Sequence, residues 1–231
     1  MRIEISGTHF PLETLGPGRR LGVWLQGCPL ACAGCMSRHT WAPGGGARSS
    51  VRELLDLWRD ALDRGAQGLT VSGGEPLEQA RALEEFLAGA DRLRGEAAGV
   101  RGARDGPRPD FLVYTGYEQA EWDPPRLRAL RHADAVIAGR FRIAEPTGLA
   151  WRGSANQQLL PRTALGRERY APHLGRRSTG RAVQVVVEPG REPGEAPAAH
   201  LLGVPARGEL VFYERWLEEH GLRLRGRSWR P

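Results

Sequence analysis

Long hydrophobic runs, lysine and cysteine are scarce or missing in this sequence of 231 residues. The longest apolar runs, such as FLVY at 111–114 and VQVVV at 183–187, are far shorter than the roughly 20 residues that cross a bilayer, so we expect no membrane-spanning helix. The amino-terminal stretch MRIEISGTHF alternates like a strand and lacks the apolar centre of a secretory signal. With few cysteines as well, we expect a cytoplasmic protein with no membrane partner.

Lysine is absent, so arginine supplies all 33 basic residues, and the net charge is +6. A basic chain ordinarily suggests nucleic acid or an acidic partner. Alanine, glycine and proline are also abundant, however, and this residue usage is typical of a GC-rich genome. We therefore expect a solvated basic surface, and nucleic acid is only weakly indicated as a partner.

All three cysteines of the chain lie in the stretch GCPLACAGCM at residues 27–36. An odd number of thiols packed this closely excludes a disulfide framework, because one thiol would be left over and short loops pair poorly. Cys28, Cys32 and Cys35 are therefore a candidate metal site or reactive centre. Thiolates bind soft or borderline metals, which favours a metal site.

Two kinds of metal centre suit these thiols. His39 lies close enough to Cys35 in sequence to complete a Cys3His zinc site, which would make the chain a zinc-stabilised binding module without catalysis. Alternatively, the three thiolates hold three irons of a four-iron cluster and leave the fourth iron open to an outside ligand. The cysteines by themselves leave both alternatives open.

Strand-like and helix-like segments alternate over the first two thirds of the chain, which predicts βα units and a mainly parallel sheet. Three predicted strands end directly in glycine, a pattern typical of ligand sites at the carboxyl ends of parallel strands. Because the chain is too short for a full barrel of about 250 residues, we predict an α/β fold with an incomplete (βα) barrel. The predicted strands are Arg2–Ser6, Leu21–Leu25, Gly68–Ser72, Phe111–Thr115, Asp134–Ala138 and Ala182–Glu188.

Helix signals are clear at four places along the chain. Ser50 and Glu53 form a capping box before residues with helical spacing, and Gly65 is the expected end of that helix. Three more helices are predicted at 77–87, from Pro124 onward and at 209–220.

The remaining segments are expected to lack regular structure. Their glycine, proline and charge content predicts a surface loop at 94–110, a nearly structureless basic stretch from 162 to the strand at 182, and a further loop at 188–198. We divide the chain into a core, residues 1–161, and a carboxyl-terminal extension or small subdomain, residues 162–231.

A second motif, Ser72-Gly73-Gly74-Glu75-Pro76, lies where a predicted strand meets a predicted helix. Backbone donors and a carboxylate at such a place can hold a polar ligand that carries an amino group. Alone the motif is weak, because Gly-Gly turns are common and Glu75 would also suit a helix cap. Together with the C-x3-C-x2-C spacing it resembles the radical S-adenosylmethionine (AdoMet) superfamily, in which three cysteines hold a [4Fe-4S] cluster and AdoMet binds the open iron.

The resemblance narrows in the surrounding sequence to the activating proteins of anaerobic ribonucleotide reductase. The blocks that carry it are LGPGRRLGVWLQGCPLACAGCMSRHTW at 15–41, LVYTGYE at 112–118, DAVIAGRF at 134–141 and WRGSANQQL at 151–159. The chain departs from much of the superfamily at Gly34, where an aromatic residue is common. The resemblance implies that Cys28, Cys32 and Cys35 are the catalytic cluster ligands. It also implies AdoMet contacts for Gly73, Gly74, Glu75, Pro76, Thr115, Gly116, Ser154 and Asn156.

By this resemblance the chain is an enzyme that reductively cleaves AdoMet at its cluster to a 5′-deoxyadenosyl radical. In the narrower group the radical takes a hydrogen atom from a glycine Cα of a glycyl-radical enzyme subunit, and a flavodoxin- or ferredoxin-like protein donates the electron. The extension at 162–231 keeps open a radical AdoMet enzyme with another substrate, such as a peptide maturase or a deazaguanine-forming enzyme.

Overall fold

A seven-stranded mixed sheet lies at the centre of the protein. The structure, a computed structural model, describes residues 1–101, 108–178, 182–188, 197–206 and 208–224. The strands of this sheet are β1 Arg2–Leu12, β2 Arg20–Leu25, β3 Ala47–Ser50, β4 Gly68–Gly73, β5 Asp110–Thr115, β6 Ala135–Ala138 and β7 Gln158–Pro161. The helices that pack against it are α1 Val51–Asp63, α2 Ala80–Arg101, α3 Pro124–Ala129 and α4 Ala164–Tyr170.

The centre of the sheet consists of four parallel strands in the order β2-β4-β5-β6. Val23, Val71, Val113 and Val136 lie side by side across these strands, and each is fully buried. Strands covered on both faces are mainly apolar, and these strands are apolar at their centres, although β2 begins with Arg20 and β5 with Asp110. Their carboxyl ends therefore meet at one edge of the sheet, where ligands bind in parallel α/β proteins.

The flanks of the sheet are antiparallel. β1 pairs with β2 and β3 on one side, and β7 pairs with β6 on the other. The sheet is thus mixed, with the strand order β3-β1-β2-β4-β5-β6-β7. The predicted α/β class with a mainly parallel sheet agrees with this arrangement, whereas the incomplete barrel stays a prediction.

Helices cover both faces of the sheet. α1, α2 and α3 pack on one face around Trp58 and Phe86, and Trp58 Nε1 donates a hydrogen bond to the carbonyl of Ala90 at 3.2 Å. The predicted capping box is confirmed, because Ser50 Oγ accepts a hydrogen bond from Glu53 N, and the Glu53 carboxylate accepts one from Ser50 N. α4 covers the other face with Tyr170. None of the helices in the described ranges is both long and apolar enough to cross a bilayer.

A second, smaller sheet lies in the carboxyl-terminal part of the chain. Its strands are β8 Val183–Glu188, β9 Ala198–Gly203 and β10 Arg223–Leu224, in the order β10-β9-β8, and helix α5 Glu209–Glu219 accompanies them. The predictions of a strand near 182–188 and a helix at 209–220 are confirmed. Gln184 Nε2 donates to the carbonyl of Pro11 at 2.9 Å and thereby joins this sheet to β1. The division of the chain at residue 161 stays a prediction.

Two expected irregular segments contain helix instead. The prediction of a loop at 94–110 is wrong for residues 94–101, because α2 continues to Arg101. In this last part of the helix Leu93 and Ala97 pack against the core, and Arg94 pairs with Asp134. Residues 102–107 of that predicted loop, and most of the loop predicted at 188–198, lie outside the described residues.

The stretch after residue 162 is likewise not structureless. α4 and a short 3-10 helix at 171–173 occupy it. Thr163 Oγ1 accepts a hydrogen bond from Gly166 N and so caps α4. The burial of Tyr170 then fixes the helix against the sheet, and this contact has no local sequence signal.

A buried ionic network closes the amino-terminal edge of the parallel strands. The Arg20 guanidinium at the start of β2 donates two hydrogen bonds to the carboxylate of Asp110 at the start of β5, at 2.8 and 3.1 Å. Both side chains are fully buried. Tyr170 OH also donates to this carboxylate, and Arg169 Nε lies 3.0 Å from it. Asp110 thus holds β2, β5 and α4 together through charge and hydrogen bonds.

The substitution Asp110→Asn should destabilise the fold strongly, because it leaves the buried Arg20 cation without its counter-ion. We expect the free energy of unfolding, measured by urea denaturation, to fall by about 3–5 kcal/mol. Asp60→Asn removes an exposed pair with Arg64 and is the control, with an expected change below about 0.5 kcal/mol. A loss below about 1 kcal/mol for Asp110→Asn would contradict this role of the network.

Candidate active site

The cysteine loop follows β2 and is closed at its base by backbone hydrogen bonds. Gly27 N donates to the carbonyl of Thr40 at 2.8 Å, and Cys28 N donates to that of Trp41 at 3.0 Å. The side chain of Gln26 reaches across the same base to the carbonyl of Ala42 at 2.8 Å. The loop therefore starts and ends at one point, at the carboxyl edge of the parallel strands.

The three thiols are half-buried and lie close enough for their charges to interact in two pairs, Cys28 with Cys32 and Cys32 with Cys35. Burial raises the pKa of the Cys28 thiol, while the backbone N–H groups of Leu30 and Ala31 act against this rise. The backbone N–H of Ser37 donates to Cys35 Sγ at 3.4 Å. Sulfur atoms that accept hydrogen bonds from backbone N–H groups are suited to be thiolate ligands of an iron–sulfur cluster.

Burial also raises the pKa of the Cys32 thiol, and two groups from outside the loop oppose that rise. They are the backbone N–H of Phe141 and the charge of Arg140, each of which lowers the pKa of this thiol. Both residues follow β6. The segment after β6 therefore forms part of the surroundings of Cys32.

His39 does not join the thiols in a compact site. Its side chain is exposed, and it belongs to the short 3-10 helix Arg38–Thr40. Within the described ranges, no three His, Cys, Asp or Glu side chains are arranged as ligands of a single metal ion. A four-iron cluster takes each thiolate on a different iron, so it does not need the compact arrangement that a zinc site needs. The residues present therefore fit a cluster better than zinc.

The GGEP motif lies directly against the base of the cysteine loop. Gly74 N donates to the carbonyl of Leu25 at 2.8 Å, and Glu75 N donates to that of Gly27 at 2.8 Å. A Cβ atom on Gly73 would lie 2.3 Å from the N and O atoms of Leu25, and one on Gly74 would lie 2.3 Å from the O atom of Gly27. Both positions require glycine because backbone packs on backbone here. The two motifs are thus one structural unit.

Glu75 links this unit to the end of β5. Its buried carboxylate accepts hydrogen bonds from Thr115 Oγ1 at 2.8 Å, Gly116 N at 2.7 Å and Leu77 N at 3.0 Å. Pro76, also buried, begins the 3-10 helix Pro76–Gln79 that follows. The structure therefore brings Glu75, Thr115 and Gly116 into direct contact, and both Glu75 oxygens bond to the protein itself.

Ser154 and Asn156 contact the segment after β6 rather than Glu75. Ser154 Oγ accepts a hydrogen bond from Arg142 N at 3.1 Å, and Asn156 Nδ2 donates to the carbonyl of Arg140 at 2.9 Å. Asn156 Oδ1 is buried and has no hydrogen-bond partner within the described part of the chain. A buried hydrogen-bond acceptor without a donor lowers the stability of the fold, unless a bound ligand supplies the donor.

Sequence reasoning missed Arg140 and Phe141 as neighbours of the cysteines. Arg140 forms a double hydrogen bond with the Glu121 carboxylate at 2.6 and 2.7 Å. The available signal was their position directly after Gly139, at the end of a predicted strand. Pairing with Glu121 and proximity to Cys32 depend on the fold and leave no local pattern.

The pH dependence of stability should reveal the burial of Glu75. Burial raises its pKa to about 7 from an ordinary 4.5, against three hydrogen bonds that favour the carboxylate. Between these two values the unfolded chain is ionised at this residue while the folded protein is neutral, so the folded state binds more protons. The stability that this group contributes is present below pH 4.5 and is lost as the pH rises to about 7.

We therefore expect the unfolding free energy of the wild type, relative to that of Glu75→Gln, to fall between pH 5 and pH 8 in anaerobic urea titrations. Glu53→Gln is the control. Hydrogen bonds from Ser49 and Ser50 lower the pKa of Glu53, so this residue is ionised in both states over that range. A constant difference between the wild type and Glu75→Gln would show that Glu75 is ionised in the fold throughout.

Comparison with known proteins places this site in a family. Residues 14–160, more than half of the chain, match the model of the 4Fe-4S single cluster domain. The chain is 33% identical over 156 residues to the anaerobic ribonucleoside-triphosphate reductase-activating protein of Vibrio cholerae, and these cover 64% of this chain and 92% of the relative. The same-named protein of Haemophilus influenzae is 34% identical over 156 residues, with the same two shares.

A viral relative agrees with the bacterial ones. The activating protein of that name from Enterobacteria phage T4 is 31% identical over 148 residues, which cover 64% of this chain and 87% of the relative. The predicted resemblance to these activating proteins is confirmed. The chain belongs to the 4Fe-4S single cluster domain family and is a homologue of the anaerobic ribonucleoside-triphosphate reductase-activating proteins.

Proposed function

We propose that this protein is a radical AdoMet enzyme that installs a glycyl radical on a partner enzyme such as anaerobic ribonucleotide reductase. One observation carries the proposal. The GGEP motif is hydrogen-bonded to the base of the three-cysteine loop through Gly74 N and Glu75 N. A ligand held on the open iron of a cluster would therefore lie beside the predicted AdoMet-binding segment.

The bound cofactors would supply the electron transfer and the bond cleavage. When bound, a [4Fe-4S] cluster and AdoMet would supply one-electron reductive cleavage of the sulfonium to methionine and a 5′-deoxyadenosyl radical, which would take hydrogen from a glycine Cα of the partner. The residues of the chain hold and orient these groups and keep water away from them.

Each part of the site has a distinct task in this proposal. Cys28, Cys32 and Cys35 bind three irons. The backbone at Gly73 and Gly74, which packs on the base of the cysteine loop, would line the AdoMet site. The buried Oδ1 of Asn156 accepts a hydrogen bond from an amino or hydroxyl group of AdoMet, which satisfies its missing partner.

The names of the relatives support the partner, and the resemblance to the radical AdoMet superfamily implies the electron donor. Their names describe activation of anaerobic ribonucleoside-triphosphate reductase, which supports a glycyl-radical subunit as the protein substrate. We infer a flavodoxin- or ferredoxin-like donor, a cytoplasmic location and an incomplete barrel that is open at its side. Residues 161–231 lie beyond the family model, and this favours one alternative, a radical AdoMet enzyme that acts on another substrate.

Anaerobic reconstitution with iron and sulfide tests the cofactor assignment. We expect a brown protein with four irons that yields 5′-deoxyadenosine and methionine from AdoMet after reduction. Cys32→Ala should lose both cluster and cleavage, whereas His39→Ala should keep both, because the exposed His39 is not a cluster ligand. Colourless protein with one bound zinc, or loss of metal in the His39 variant, would overturn the proposal in favour of the zinc module.

The AdoMet contact of Asn156 can be tested separately on the reconstituted protein. Asn156→Ala should raise the AdoMet dissociation constant, measured without reductant, by about tenfold, equal to about 1.4 kcal/mol or one hydrogen bond. Gln158→Ala, an exposed substitution on β7, should leave it unchanged. Equal affinities for the two variants, at equal cluster content, would exclude Asn156 from the AdoMet site.

A further inference from the structure

The segment after β6 covers the cysteine loop. This covering segment, residues 139–143, begins at Gly139, whose backbone N donates to the carbonyl of Thr115 at 3.0 Å. At its other end Ile143 lies over the loop, because a Cβ atom on Gly34 would be only 2.5 Å from Ile143 Cδ1. Between these ends the backbone N–H of Phe141 lies near the thiol of Cys32 and lowers its pKa. The segment thus packs on the loop through Ile143 and lies beside Cys32.

Arg140 is held in a fixed position within the covering segment. Its two terminal nitrogens donate to the two carboxylate oxygens of Glu121 at 2.6 and 2.7 Å, the planar double contact that arginine forms with carboxylates. Its guanidinium also lies 5.7 Å from the centre of the Tyr117 ring. Its carbonyl accepts the hydrogen bond from Asn156. Side chain and backbone are therefore both fixed next to Cys32.

The neighbouring arginine of the segment behaves differently. Arg142 pairs with Glu145 three residues along the chain at 2.9 Å, lies 3.7 Å from the Glu118 carboxylate, and has half of its side chain exposed. Arg140 is less exposed, at 38%, and both of its terminal nitrogens donate to the one carboxylate of Glu121. An ordinary surface ion pair would explain Arg142, but it does not explain why the Arg140 cation lies within reach of a thiol.

We propose that Arg140 is a positioning residue that raises the reduction potential of the cluster, by its charge and by fixing the covering segment, with the backbone N–H of Phe141, beside Cys32. The inference rests on the proposed function in one respect, since it requires a cluster on the three cysteines. Reduction adds a negative charge to the cluster. A fixed cation and an N–H donor beside a ligand sulfur stabilise the reduced state more than the oxidised state, and so raise the potential.

Glu121 has a double role in this arrangement. It fixes the Arg140 side chain, and its negative charge partly cancels the cation. Removing the Arg140 charge leaves the Glu121 carboxylate without its bidentate partner, which lowers the potential. Removing the Glu121 charge leaves the cation alone, which raises it. The two substitutions therefore move the potential in opposite directions, whereas damage to packing would not.

The test is an EPR-monitored redox titration of the reconstituted full-length protein. At a fixed solution potential, Arg140→Gln should lower the ratio of reduced to oxidised cluster by about tenfold, equal to about 59 mV for a one-electron couple. Glu121→Gln should raise this ratio. Arg142→Gln is the matched control, because it removes the same charge from the same segment, and it should change the ratio by less than about twofold.

The possible outcomes separate this inference from the proposed function. A wild type that takes up no cluster overturns the proposed function itself. A wild type with a cluster, whose potential is the same in Arg140→Gln and Arg142→Gln, overturns only the role of Arg140. If Arg140→Gln loads no iron, the Glu121→Gln titration decides, and an unchanged or lowered potential there overturns the inference.

Discussion

The hydrogen bonds to the carboxylate of Glu75 are the contacts on which the candidate site depends. This one side chain joins the end of β4 to the end of β5 through Thr115 and Gly116. Its own backbone N is bonded to Gly27 at the base of the cysteine loop. Because a buried carboxylate is tolerated only where donors surround it, the end of β5 has to lie against Glu75, which follows β4. The positions of both sequence motifs follow from that requirement.

The two edges of the parallel strands use buried acids in different ways. At the amino-terminal edge the Asp110 carboxylate is paired with two cations, Arg20 and Arg169, and these ion pairs hold the strands together. At the carboxyl edge Glu75 bonds only to neutral donors, and burial raises its pKa. One edge thus has a complete set of ionic partners, while the other keeps uncompensated groups, including Asn156 Oδ1. This difference agrees with a rigid base and a ligand-binding edge.

The sequence predicts those features of the fold that are determined by residues close together in the chain. The Ser50–Glu53 cap and the apolar central strands follow from residue type and spacing. The contact of Glu75 with Thr115 and Gly116 joins distant residues, which the sequence connected only through the family resemblance. The continuation of α2 to Arg101, the burial of Tyr170 and the edge strands β3 and β7 depend on distant partners. Arg140 illustrates the limit, because its carboxylate partner lies 19 residues away and its thiol neighbour lies on another loop. No local pattern encodes such pairs.

The contact between Tyr170 and Asp110 joins residues 60 positions apart, and Tyr170 lies beyond residue 160, where the family model ends. On the ribosome, the β5 carboxylate therefore lacks its hydroxyl partner until the chain through α4 has emerged. A fragment trimmed to the family boundary would likewise expose Leu112 and Ile137, which Tyr170 helps to cover. The smallest piece of this chain that can be expected to fold by itself must therefore include α4.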